Sequence, residues 1–300
     1  MAIERTTFPT ASVEAIPRFR SRVRLDAPKT TTASIATPAL SLLLTLLGSG
    51  MQGYANRTGD ALFVALLLLL AGVSVVVLLF PGKRAEHRAF LLTYGVCVFA
   101  GGLAQCYSLA VFDNPQSTVD AVLSFFPNIS SEPPFTTMAD SHIFIESTLP
   151  LVIWQQVYKL TWLLGLDFGP FTGVMFNSLV MGVCASLTVR TARELFGNDA
   201  WRLRRVGILF AFCGLFVLFG AVLIRDCFTT FVNVLVLWGI VRWLVRSTPT
   251  NLLFAIGLTG VSTYIMAFLR IEAVVLFGLF WLLAFLFWYL KKRLDTTRLL

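Results

Sequence analysis

The sequence predicts an all-α polytopic integral membrane protein, with about eight transmembrane helices and one interfacial amphipathic helix in an outer loop. Three observations predict it. Of the 300 residues, 57% are hydrophobic and 13% are charged, about half the roughly 25% charge content of a soluble domain. Apolar runs nearly free of charge recur along the chain, each long enough to cross a hydrocarbon core of about 30 Å. The basic residues fall in the connectors between these runs. A backbone in lipid has no water to bond with, so each run must close its own hydrogen bonds as a helix. This composition excludes a soluble doubly wound enzyme, a disulfide scaffold and a coiled coil. The net charge of +8 carries no nucleic-acid reading, because that needs the basic residues gathered on one soluble face.

In chain order the spans are 36–54, 61–80, 89–112, 172–189, 206–224, 227–245, 252–269 and 273–290. The second is the clearest, with no charge and a leucine run at its centre. The first is the weakest, because Gly48, Gly50 and Gly53 loosen its outer end. The chain then divides into a flexible basic cytoplasmic tail (1–34), three N-terminal transmembrane helices (35–112), an acidic outer loop (113–171), and five C-terminal transmembrane helices with a short basic tail (172–300).

Leu149 to Leu166 is long enough to span but carries Gln155, Gln156 and Lys159. If this stretch lies flat outside, one side of the membrane holds both chain ends and 20 of the 24 Lys and Arg residues. If it spans, the five arginines from Arg190 to Arg205 move to the outer side, which the positive-inside rule disfavours. It is therefore expected to be an interfacial helix with Pro150 in its first turn, and both termini are expected in the cytoplasm. The outer face then nets −5 and the inner face +13, matching the total of +8.

Arg18, Arg20, Arg22 and Arg24 sit at spacing two between Pro17 and Pro28, a pattern for a flexible tail on anionic lipid. The five cysteines lack CxxC spacing and read as buried free thiols, with Cys106 and Cys227 near the same face. Asn56-Arg57-Thr58 and Asn128-Ile129-Ser130 are sequons on the outer side.

Walker-type loops, HExxH and G-x-S-x-G elbows are missing from the sequence, so P-loop, zincin and serine hydrolase chemistries lack their minimum parts. The remaining candidates are ionisable residues at the outer ends of spans, which are costly unless paired or wet. Asp140-Ser141-His142, with Glu146 following, places a carboxylate where it can accept a proton from an alcohol. The same segment also reads as a solvated acidic loop whose Ser147 and Thr148 cap the next helix. Arg225-Asp226 divides about forty apolar residues and reads as the outer turn of a tight hairpin. There Arg225 can grip a phosphate through its planar fork, or Arg225 and Asp226 simply satisfy each other. Arg270-Ile271-Glu272 repeats that layout between the last two spans. Asp113-Asn114-Pro115 reads as an exit turn. Trp154 and Trp162 read mainly as interfacial anchors, with a sugar-stacking platform as the other reading.

The order of Ala139-Asp140-Ser141-His142, an amphipathic helix ending in Leu164-Gly165, Phe176-Asn177-Ser178-Leu179, Arg193-Glu194-Leu195-Phe196-Gly197, Leu223-Ile224-Arg225-Asp226 and Leu269-Arg270-Ile271-Glu272 resembles the bacterial envelope polytopic glycosyltransferases of the GT-C fold and the related O-antigen polymerase-like proteins. The resemblance covers about half the chain. It implies a polyprenyl-phosphate sugar donor, a hydroxyl acceptor glycan, and a site facing the outside of the cytoplasmic membrane. By that resemblance Asp140 activates the acceptor and Arg225 and Arg270 hold the donor phosphate. His142 and Glu146 stand beside the base, and Asp226 and Glu272 beside the arginines. A divalent cation is compatible with such a site, although no compact carboxylate pair fixes one. Two other classes use the same residues differently: a transporter or flippase of an anionic lipid-linked glycan, which predicts broken helices and internal repeats, and a non-catalytic assembly subunit.

Overall fold

A computed structural model describes residues 32–117 and 148–297. The basic tail through residue 31, the Asn128 sequon, and Asp140, His142 and Glu146 lie outside the described residues. The described residues form ten helices: α1 Thr32–Asn56, α2 Ala61–Leu79, α3 Arg84–Phe112, α4 Thr148–Leu163, α5 Pro170–Phe196, α6 Ala200–Ala211, α7 Gly214–Ala221, α8 Asp226–Arg246, α9 Pro249–Leu269 and α10 Val274–Thr297. A single 3-10 turn, Ile271–Ala273, joins α9 to α10. Six helical segments are long and apolar enough to cross a membrane, and the bent pair α6–α7 makes a seventh if counted as one span. The protein is thus all-helical and of the multi-pass membrane type. Helix α1, the weakest of the eight expected spans, carries no charged side chain along its 25 residues.

Ser41, Thr45, Ser49 and Gln52 are buried, whereas Leu40, Leu42, Leu43, Leu46 and Leu47 are exposed. At a helical period this sets a polar stripe facing inward and leucines facing lipid. The polar stripe meets α3: Ser41 Oγ donates to Leu91 O, and Gln52 Nε2 to Val98 O at 2.9 Å. Moving along α1 from Ser41 to Asn56 moves along α3 from Leu91 to Gln105, so the two helices run parallel. Their backbones touch: a Cβ added at Gly48 would stand 2.5 Å from Val98 O, and one at Gly102 would stand 2.6 Å from Gly48 O. Small residues that permit such close approach drive helix association where lipid is as apolar as leucine.

Helix α2 fills the return path. Ala61, Val64, Ala65, Leu68, Gly72 and Val76 are its buried stripe, and Tyr94 of α3 donates to Ala65 O at 2.7 Å. Helix α5 is the central element, with most of its span buried. Ser178, Gly182 and Ser186, four residues apart, are all buried along it. Phe90 of α3 lies against Gly182, and Ser186 Oγ donates to Glu86 O at 2.9 Å. Pro170 starts α5 with its φ already set for a helix.

Contacts set the ends of the bundle. Thr58 Oγ1 donates to Asp167 Oδ2 at 2.7 Å, and the Asp167 amide to Asp60 Oδ2 at 2.8 Å, so the α1–α2 and α4–α5 connectors meet. At the opposite end Arg193 meets Glu86, and Arg246 meets Glu194. The basic connectors around Lys83, Arg193, Arg205 and Arg246, together with Thr32 and Thr297, therefore share one end of the bundle, called here the basic end. Helices α3 and α5 also run past the charge limits expected for them. Arg84 to Arg88 adds a first turn to α3, and Arg190 to Phe196 adds almost two turns to α5. Ion pairs satisfy these charges: Arg193 binds Glu86 through Nε and Nη2 at 2.7 and 2.6 Å, and Glu194 pairs with Arg190 and Arg246.

Two expectations are corrected. The span 206–224 is not one straight helix, because α6 and α7 meet at a 56° bend. Phe210 and Phe216 stack across the bend at 4.3 Å, and the bend carries Gly220 onto Cys97 and Ala221 O beside Gly101 of α3. The segment 149–166 does not lie flat. Tyr158 meets Gly173 and Trp154 meets Asn177, so four residues deeper on α5 is four residues back on α4. The helices are antiparallel there, and Leu151, Trp154, Tyr158 and Thr161 are buried. At 16 residues α4 is shorter than the about 20 that a complete crossing needs. The turn before Asp226 is a tight helical hairpin, its link four non-helical residues, Val222 to Arg225.

Candidate functional site

At the end opposite the basic connectors, two helix termini converge. Arg225 is the N-cap residue of α8 and Asp226 opens its first turn, where the helix dipole favours a negative charge. Arg270 is the C-cap of α9, its amide bonded to Met266 O, and its carbonyl starts the 3-10 turn through Ala273. Arg270 Nη1 reaches Asp226 Oδ1 at 2.6 Å, and its Nε lies 3.9 Å from Glu272 Oε2. Asp226, Arg270 and Glu272 thus form one cluster, with Arg225 next to Asp226 in the chain. Asp226 is paired across helices, not satisfied within its own turn. Its side chain is 18% exposed and that of Glu272 is 72% exposed, so the first pairing is the stronger of the two. A phosphate can take the place of a carboxylate at Arg270, which the carboxylates keep from being a bare cation in the resting state.

The floor of this cluster is built by α5. Asn177 Nδ2 donates to Val222 O at 2.8 Å and to Ile224 O at 3.2 Å, while its Oδ1 accepts from Trp154 Nε1 at 2.8 Å. One step along the helix, Ser178 Oγ donates to Gly220 O at 2.9 Å. These bonds answer a physical demand: a connector that leaves the helical path inside a membrane protein must find partners for its carbonyls. Phe228 packs against Trp154, with ring centroids 5.5 Å apart, and against Phe176. Helix α4 is therefore pinned over the Val222–Asp226 segment.

Of the residues singled out in the sequence, the structure brings together Asp226, Arg270 and Glu272, with Arg225 adjacent. Asp140, His142 and Glu146 lie outside the described residues. Trp154 and Trp162 form no platform, because Trp154 is fully buried and only Trp162 is exposed. All five cysteines are free, and Cys97, Cys184 and Cys227 are buried. Among the described residues no three His, Cys, Asp or Glu side chains converge to hold a metal.

Sequence reasoning missed Asn177 as the clamp on the connector, although an Asn within an apolar span was a usable signal. It also missed Thr229 and Asn233 on α8, whose Oγ1 and Oδ1 are buried without a partner among the described residues. They stand about one and two turns into the helix from Asp226 and continue the polar trail below the cluster.

Neither the protein-family models, the curated proteins nor the solved structures contain a match to this chain. The reading of the site therefore rests on its own chemistry.

Proposed function

We propose that the protein transfers or polymerises sugars at the outer face of the cytoplasmic membrane, from a polyprenyl-phosphate or polyprenyl-diphosphate donor to a hydroxyl acceptor. Asp140 takes the proton of the acceptor hydroxyl, whose oxygen attacks the anomeric carbon. The carbon–oxygen bond to the donor phosphate breaks, and the departing phosphate keeps the electron pair. Arg225 and Arg270 stabilise the charge that grows on it. The observation that carries this reading is the Arg270–Asp226 contact at 2.6 Å, which joins the two arginine-bearing turns into one cluster opposite the basic end. By the positive-inside rule that basic end is cytoplasmic, with both chain termini.

A second reading has its own support. The 56° break between α6 and α7, followed by a non-helical connector held by Asn177, is the kind of interrupted span that carriers use around a bound substrate. A flippase of an anionic lipid-linked glycan would use the same arginines without a base.

Supplying radiolabelled polyprenyl-phosphate sugar to the purified full-length protein separates the classes. Turnover that is lost in Asp140→Ala and Arg270→Ala, with both variants still inserted, supports the transferase. Saturable binding without turnover supports the carrier. Absence of both would leave a non-catalytic assembly subunit and refute the leading assignment.

A further inference from the structure

At the basic end, far from the cluster just described, α2, α5 and α8 enclose a cavity of about 420 Å³. Its mouth carries Lys83 from the α2–α3 connector, Arg190 from the last two turns of α5 and Arg242 near the end of α8, all half-buried. Among the described residues no carboxylate lines it. Deeper in, the walls are apolar, with Leu187 on α5 and Leu235 on α8. Trp238 also lines the cavity, and its Nε1–H is buried with no partner among the described residues.

We propose that this cavity is a binding site for an anionic phospholipid of the cytoplasmic leaflet. The charge complement is the first reason: three cations meet at one mouth, and Glu194, the nearest acid paired with any of them, is shared between Arg190 and Arg246. Arg242 is already oriented, with Nε on Asn251 Oδ1 at 3.1 Å and its guanidinium over the Trp238 and Phe254 rings, so its remaining donors stay in place for a phosphate. Dimensions are the second reason. The cavity follows α8 from Arg242 to Phe231, a rise of about 16 Å along a helix, which matches one leaflet of a hydrocarbon core of about 30 Å. A free phosphate or sugar phosphate would leave that apolar length empty. The orphan indole N–H, just inside the cationic mouth, suits the phosphate or glycerol ester oxygens of such a lipid. This site stands independently of the transferase reading.

The test uses the full-length protein reconstituted in phosphatidylcholine vesicles containing phosphatidylglycerol with brominated acyl chains, which quench nearby tryptophan. The difference between wild type and Trp238→Phe isolates the Trp238 signal. Half-maximal quenching is expected at a roughly tenfold lower mole fraction of brominated phosphatidylglycerol than of brominated phosphatidylcholine, since each basic group near the surface contributes to anionic-lipid affinity. A Lys83→Gln/Arg190→Gln/Arg242→Gln variant should lose that preference. Leu235→Phe, which fills the cavity without altering charge, should lose the quenching while keeping the helical circular dichroism signal. Equal quenching by the two lipids, or an unchanged preference in the triple variant, overturns the proposal. Displacement of the lipid by millimolar inorganic phosphate would identify a soluble anion as the occupant and overturn it as well.

Discussion

Arg270, at the end of α9, meets Asp226, at the head of α8, at 2.6 Å across 44 residues of sequence. Arg270 is 44% exposed, and a pair so open to solvent contributes little to folding, about 0–1 kcal/mol. In the proposed function its role is to present a guanidinium for another anion.

Exchange at that guanidinium is directly measurable. Asp226→Asn removes the competing charge and should tighten binding of a polyprenyl-phosphate sugar, whereas Arg270→Ala should weaken it by about tenfold or more, the scale of a charge-assisted hydrogen bond. Thermal midpoints of both variants should stay near wild type. Titration of purified protein with labelled donor checks both, and an unchanged affinity in Arg270→Ala removes Arg270 from the site.

Asn177 holds the connector beneath the cluster with two hydrogen bonds and Trp154 of α4 with a third. At about 0.6 kcal/mol for an average interhelical bond in a membrane protein, Asn177→Leu should destabilise by roughly 2 kcal/mol. It should also free Trp154 from its partner. A lower midpoint in detergent, with a shifted tryptophan emission, is the expected result.

Glu86 is fully buried, and Arg193 is 14% exposed. Removing one partner of such a pair leaves an uncompensated charge, so Glu86→Gln or Arg193→Met should cost about 3–5 kcal/mol. The double variant Glu86→Met/Arg193→Met should recover most of that loss, because an apolar pair of similar volume is often neutral. A double-mutant cycle on thermal or denaturant stability reads the coupling.

The α1–α3 seam gives a controlled pair of substitutions. Gly48→Ala places a methyl against the α3 backbone and should cost about 1–3 kcal/mol by overpacking. Gly50→Ala, two residues on, meets nothing within 4 Å and should be neutral or slightly stabilising. Equal stability of the two variants would refute the close approach.

Much of this architecture was legible because hydropathy reports burial in lipid. Ala61–Leu79 announces itself as a span, and the two arginine turns were expected on one face. What hydropathy cannot report is direction within lipid. The α6–α7 bend leaves every residue apolar, and no proline marks it; only the stacking of Phe210 on Phe216 and the seat of Gly220 on Cys97 define it. Pairing partners were equally hidden. Asp226 had a cation beside it in sequence, yet bonds one 44 residues away, and Glu86 pairs 107 residues on. Trp154 shows the same limit, since its position on an amphipathic helix suits either an exposed anchor or a buried donor. Its bond to Asn177 decides which. The carboxylates expected around Asp140 remain an inference from sequence.

The parallel seating of α1 against α3 also fixes an order of events during synthesis. When α1 leaves the ribosome its partner does not yet exist, and Ser41, Thr45, Ser49 and Gln52 have only lipid or the insertion machinery to face. Two further helices must emerge before the Ser41 hydroxyl and the Gln52 amide find the carbonyls of α3. Helix α1 is therefore a lodger until α3 arrives, and a ribosome stalled between them would strand its polar stripe against lipid.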